Sequence, residues 1–286
     1  MSSKALPAFH RIFVSLIQTN TSTTKTMKYQ SLKNTFKGGF LALTAAFTIA
    51  TSAANAQAVK NIVLVHGAFA DGSGYKGIYE ALTKQGYHVT IVQNPLTSLD
   101  DDVAATKAVM DAQDGPTILV GHSWGGVVIT QAGNHPKVAG LVYIAAFQPD
   151  SGESAFTWFQ SAPPAPENGV LPPDSKGIVY YDKSKFHAGF CGDLSAEEAE
   201  FMYASQGAFY GKCFVTPVTD AAWRHKPTYG IVATEDKSIN PEIERNMYKR
   251  SHTKVAEIKG SHAVYISQPE KVAAVIMQAA RGLSGK

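Results

Sequence analysis

The sequence predicts an α/β fold: a mainly parallel sheet with helices on both faces and a long inserted cap. Three observations carry this. Short β-branched apolar runs alternate with stretches of helical periodicity along most of the chain. Several runs, such as Ile62-Val63-Leu64-Val65 and Ile118-Leu119-Val120, are apolar without alternation, which suits strands buried on both faces. Between Phe147 and Trp223 the rhythm breaks for far longer than an ordinary connection needs.

Taken in order, residues 1–58 read as a targeting segment. Up to Val59 the chain holds no Asp or Glu, six Lys or Arg, and many Ser and Thr. Met27 opens a second start: Lys28, Lys33 and Lys37 form a basic flank, Phe40 to Ala50 an apolar stretch, and Ala54-Asn55-Ala56 a small-residue cleavage site. The apolar stretch falls short of the roughly 20 residues that span a bilayer, so removal on export is expected rather than a stable membrane anchor. The protein is then periplasmic or secreted. Losing six of the 26 basic residues and none of the 23 acidic ones turns the formal charge from +3 to −3. With the basic residues that remain scattered, no nucleic-acid partner is implied.

Residues 59–286 form the expected domain. Strands are predicted at Asn61–Val65, His88–Gln93, Thr117–Gly121, Val138–Ala145, Thr228–Ala233 and Lys254–Ile258. Helices are predicted at Tyr75–Gln85, Leu99–Gln113, Trp124–Asn134, Pro241–Arg250 and Pro269–Arg281. The interval 147–223 holds Pro163, Pro164, Pro166, Pro172 and Pro173 and many large aromatics, most of them expected in the cap's own core. Cys191 and Cys213 both fall in this cap. In an oxidising compartment a disulfide between them is expected, worth about 3 kcal/mol on a chain-entropy model.

The chemistry concentrates at Thr117 to Asn134. An apolar strand runs into Gly121-His122-Ser123-Trp124-Gly125-Gly126 and then into a helix. A serine at such a turn projects its hydroxyl above the sheet, at a helix N-terminus that favours developing negative charge. A serine hydroxyl needs a histidine to take its proton and a carboxylate to orient that histidine, in the chain order Ser, acid, His. His262 follows the last predicted strand and so lies at the same sheet edge as Ser123. His135, His187, His225 and His252 sit in loops, in the cap or at a helix end, and read as packed or solvated. Asp236, after the strand ending at Ala233, is the leading acid, and Asp150 is the alternative. Glu235 reads as a surface or supporting residue. Stabilising an oxyanion takes two backbone N–H groups, assigned to Trp124 and to Ala68 in Val65-His66-Gly67-Ala68-Phe69. The glycine-rich stretch from Gly67 to Gly77 lacks the ending of a P-loop and the spacing of a dinucleotide fingerprint. Neither cofactor nor metal is expected.

From about Asn61 to Arg281 the sequence resembles α/β-hydrolases of the branch that holds bacterial carboxylesterases, plant methylesterases and hydroxynitrile lyases. The matching segments are Val63-Leu64-Val65-His66-Gly67-Ala68, Gly121-His122-Ser123-Trp124-Gly125-Gly126, Thr234-Glu235-Asp236 and Ser261-His262-Ala263. The resemblance implies the α/β-hydrolase fold, with Ser123 as nucleophile, His262 as base and Asp236, rather than Asp150, as acid. The lyases of that branch have threonine in place of Gly67 and lysine in place of Ala263, which disfavours lyase chemistry. The expected activity is hydrolysis of a small or medium carboxylic ester or lactone. The alternatives are a non-hydrolytic reaction on the same scaffold and a ligand-binding protein with an idle triad.

Overall fold

The computed structural model describes residues 58–284. The targeting segment and its cleavage site lie outside the described residues, apart from the last residue of that segment, Ala58. Among the described residues, eight strands and ten α-helices follow in chain order. They are β1 (Asn61–Val65), α1 (Lys76–Lys84), β2 (His88–Val92), α2 (Leu99–Asp111), β3 (Thr117–His122), α3 (Trp124–Ala132), β4 (Val138–Ile144) and α4 (Ala155–Phe159). Next come β5 (Ile178–Val179), α5 (Lys183–Phe190), α6 (Ala196–Ser205), β6 (Phe209–Tyr210), α7 (Gly211–Val215), β7 (Thr228–Ala233) and α8 (Pro241–Arg250). The described residues end with β8 (Lys254–Ile258), α9 (Val264–Ser267) and α10 (Pro269–Leu283).

Six strands form one sheet in the order β2-β1-β3-β4-β7-β8, and every pairing in it is parallel. β1, β3 and β7 are buried along their whole length, in keeping with their largely apolar sequences. β2 and β8, at the edges, carry the exposed residues. α1 packs with α10, α2 packs with α3, and α3 and α10 both lie on β3. The strand order reverses at β1, so the loops after β1 and β3 diverge and leave a crevice at the C-terminal sheet edge.

The chain leaves this sheet after β4 and re-enters it at β7. The insert contains α4 to α7 and a two-stranded antiparallel ribbon, β5 with β6. It lies over the C-terminal ends of the strands, where its side chains line a cavity shared with Ser123 and His262. Of the cap aromatics, Phe159, Tyr181, Phe190 and Phe209 reach this cavity. Tyr180 and Phe201 face outward. Phe147 and Phe214 also line it.

The expected disulfide is absent. Cys191 and Cys213 are both free and buried. Each sits in a different part of the insert: Cys191 caps α5 with its thiol toward the Phe186 carbonyl, and Cys213 in α7 points to the Leu96 carbonyl, in the loop after β2. Sequence position brought them into one insert, but packing gave each its own pocket.

Candidate active site

Ser123 occupies the turn between β3 and α3 with φ 54° and ψ −119°, left-handed values that cost a non-glycine residue energy. The turn is held from both sides. The Ser123 N–H donates to the Ile144 carbonyl at 3.2 Å, and its carbonyl accepts from Gly126 at 3.0 Å and Phe147 at 3.3 Å. Tight packing forces the glycines here. A Cβ on Gly125 would lie 2.3 Å from the Val65 carbonyl oxygen, so any side chain would push the first turn of α3 off β1.

His262 follows β8, and its Nε2 lies 2.8 Å from the Ser123 hydroxyl. Its Nδ1 lies 2.6 Å from Oδ2 of Asp236, which follows β7. The other Asp236 oxygen accepts the backbone N–H groups of Ser238 at 2.7 Å and Ile239 at 2.9 Å. All three side chains are nearly inaccessible to solvent. Three loops that are remote in sequence thus deliver one continuous chain of hydrogen bonds.

Asp150, the alternative acid, is not part of this chain. It forms an ion pair with Arg224 at the edge of the insert. The arginine's hydrogen bonds hold its carboxyl below the usual range, partly offset by burial. His135 pairs with Asp111, and the His187 ring meets the Leu194 carbonyl inside the cap. Glu235 lies 3.5 Å from Lys259 at the surface.

Ala68 and Trp124 line the same cavity as Ser123 and His262. Trp124 opens α3, so its N–H is among the four that a helix leaves without an internal acceptor. Gly67 lets the loop after β1 approach closely: a Cβ there would lie 2.7 Å from the Ser123 Cβ.

Several supporting residues were not legible as such in the sequence. His66 braces the Ala68 loop. Its Nδ1–H donates to the Gly67 carbonyl at 2.9 Å, and its Nε2 accepts from the Asn94 N–H at 2.9 Å. Burial lowers its pKa, so the ring stays neutral in that tautomer. His122 donates from Nε2 to the His262 carbonyl at 2.9 Å and stacks obliquely on the His262 ring, with centroids 4.7 Å apart. Burial and the neighbouring His262 hold it neutral as well. Asp102 on α2 accepts the Trp124 indole N–H at 2.7 Å and the Leu96 N–H at 2.7 Å. Burial raises its pKa to about 6. The available signal was adjacency: His66 and His122 directly precede Gly67 and Ser123. Asp102 gave no signal, because three successive aspartates at a helix start read as ordinary capping.

The cavity is walled by Phe69, Phe147, Phe159, Tyr181, Phe209 and Phe214. It leaves about 40 Å³ for the centres of water molecules, enough for a few waters.

Residues 62–275 match the Alpha/beta hydrolase family. A pyrethroid hydrolase of Sphingobium wenxiniae is 30% identical over 247 residues, covering 76% of this chain and 86% of that one. Among solved structures, a pyrethroid hydrolase from Sphingobium faniae superimposes with a TM-score of 0.67 at 24% identity, over 78% of this chain and 97% of its own. Polyneuridine aldehyde esterase superimposes with a TM-score of 0.66 at 19% identity, over 77% of this chain and 98% of its own.

Proposed function

Because this chain belongs to the alpha/beta hydrolase family, we propose that it is a carboxylic ester hydrolase that works by acyl transfer through Ser123. The carrying observation is the hydrogen-bonded series Ser123, His262, Asp236 at a strained turn. His262 Nε2 takes the hydroxyl proton as Ser123 Oγ attacks the ester carbonyl, and Asp236 stabilises the imidazolium that forms. The Ala68 and Trp124 N–H groups meet the oxygen that gains charge. His262 then protonates the departing alcohol, leaving an acyl group on Ser123, and water activated by the same histidine releases the acid.

The substrate is a small or medium uncharged ester or lactone. An aromatic-walled cavity favours apolar groups and offers no counter-ion for a charged one. Relatives named as pyrethroid and carbendazim hydrolysing enzymes support this range. Residues 1–58 serve export to the periplasm or beyond, and N-terminal sequencing of protein secreted by a bacterial host, with a start just after Ala56, tests that part.

The test of the activity is intact mass after treatment with a fluorophosphonate probe. Wild type gains one adduct, and Ser123→Ala gains none and loses ester turnover. An unlabelled, folded wild type would sink the reading.

A further inference from the structure

Glu244 lies on α8, the helix that follows the Asp236 loop. Its side chain is completely buried, and neither carboxyl oxygen has a hydrogen-bond donor within reach. A buried carboxylate without a donor is strongly unfavourable. Protonated, the same group has a hydrogen to give, and the Asp236 carboxylate faces it.

The other groups around it do not change this. Arg245, next on the helix, is committed to Glu242 and Glu257. The Tyr248 hydroxyl donates to the Ala146 carbonyl, and Tyr143 of β4, packed beside Tyr248, has its hydroxyl 3.0 Å from that of Thr130. The Ala233 backbone N–H lies nearby but does not reach hydrogen-bonding geometry.

We infer that Glu244 is a positioning residue held as the neutral acid, whose O–H donates to the Asp236 carboxylate and so sets how strongly that carboxylate binds His262. Burial, and then the negative charge of Asp236, push the Glu244 pKa well above the usual range, in keeping with this state. A donor behind Asp236 shares its negative charge. Without it Asp236 becomes the stronger acceptor, the imidazolium is favoured, and His262 stays protonated to higher pH.

The inference rests on the triad reading, so fluorophosphonate labelling of Ser123 in wild type is run alongside as a separate control of that reading. The first measurement needs no variant. Infrared spectra of wild type at pH 7, with and without 13C-labelled glutamate, should contain an isotope-shifted C=O stretch of a protonated carboxyl. Its absence overturns the inference even if Ser123 labels normally. The second compares pH profiles of kcat/KM. Glu244→Gln, an uncharged donor, should keep the wild-type acid limb. Glu244→Leu should move it up by about half a unit to one unit. An acid limb that falls in Glu244→Gln would mean the native residue is charged, and a wild-type profile in Glu244→Leu would mean it only packs. Either result overturns the inference.

Discussion

Asp236 uses its two oxygens for different purposes, and this makes its isosteric variant informative. Oδ1 accepts two backbone N–H groups, while Oδ2 faces the histidine. In Asp236→Asn the amide oxygen must therefore stay with Ser238 and Ile239, and the NH₂ turns toward His262 Nδ1. That forces the wrong imidazole tautomer, in which Nε2 carries a proton and cannot accept one from Ser123. The expected loss is about 10⁴-fold in kcat with the fold intact. Steady-state kinetics with circular dichroism checks it, and a loss under tenfold would show that Asp236 does not orient the base. Gly67 shows the same economy of space. Because a Cβ there would meet Ser123, Gly67→Ala should displace either the turn or the Ala68 donor and cost about 10²-fold in kcat.

The elements hold the candidate active residues in place only because other elements brace them, and the loop bearing His262 is braced from the insert. Asp193, just beyond α5, accepts the Ser261 N–H at 3.0 Å, the Ser261 hydroxyl, and the Ser267 hydroxyl at 2.6 Å. The Ala263 N–H donates to the Phe190 carbonyl at 3.1 Å. Partial burial raises the Asp193 pKa, but hydrogen bonds from Ser261 and Ser267 outweigh it, and the net value lies below the ordinary 3.8. The native state therefore binds this proton less readily than the unfolded chain. Its stabilisation is complete above about pH 4 and is lost as pH falls through the lower, folded value. Asp193→Ala should lower kcat by about tenfold to a hundredfold by loosening His262. Urea unfolding should show a stability gap to wild type that is constant near neutrality and closes in acid. A gap that widened in acid would contradict the sign.

Over the whole molecule, the parallel sheet supplies the edge that carries Ser123 and His262, and the insert walls the cavity above them. The cavity lies between the insert and the sheet edge, so movement of the insert relative to the sheet would change how large an ester it admits. Free cysteines are compatible with such movement, since neither ties one part of the insert to another. Burial, then the charges of Asp193 and Glu198, raise the Cys191 pKa to about 12, and burial raises that of Cys213 further. Neither thiol should react with iodoacetamide in the native protein at pH 8, and both should react after denaturation without reductant. The thermal midpoint should be the same with and without reductant. A midpoint lowered by reductant would mean that a bridge forms in solution.

The strand and helix pattern, the turn at Ser123 and the loops after β7 and β8 were legible because they depend on local features: unbroken apolar runs, glycines at a forced turn, and polar residues just past strand ends. The order Ser, Asp, His was legible for the same reason, since parallel strands deliver all their C-terminal loops to one edge. The choice of Asp236 over Asp150 on residue evidence was not local, because both follow strands and only the structure gives Asp150 to Arg224. The separation of Cys191 from Cys213, the bracing by His66, His122 and Asp193, and the burial of Glu244 against Asp236 were likewise decided in three dimensions. Sequence determined which elements form and which sheet edge carries Ser123, Asp236 and His262. Tertiary structure alone decided which polar groups share a pocket, because burial and partners depend on chain segments tens to more than a hundred residues apart.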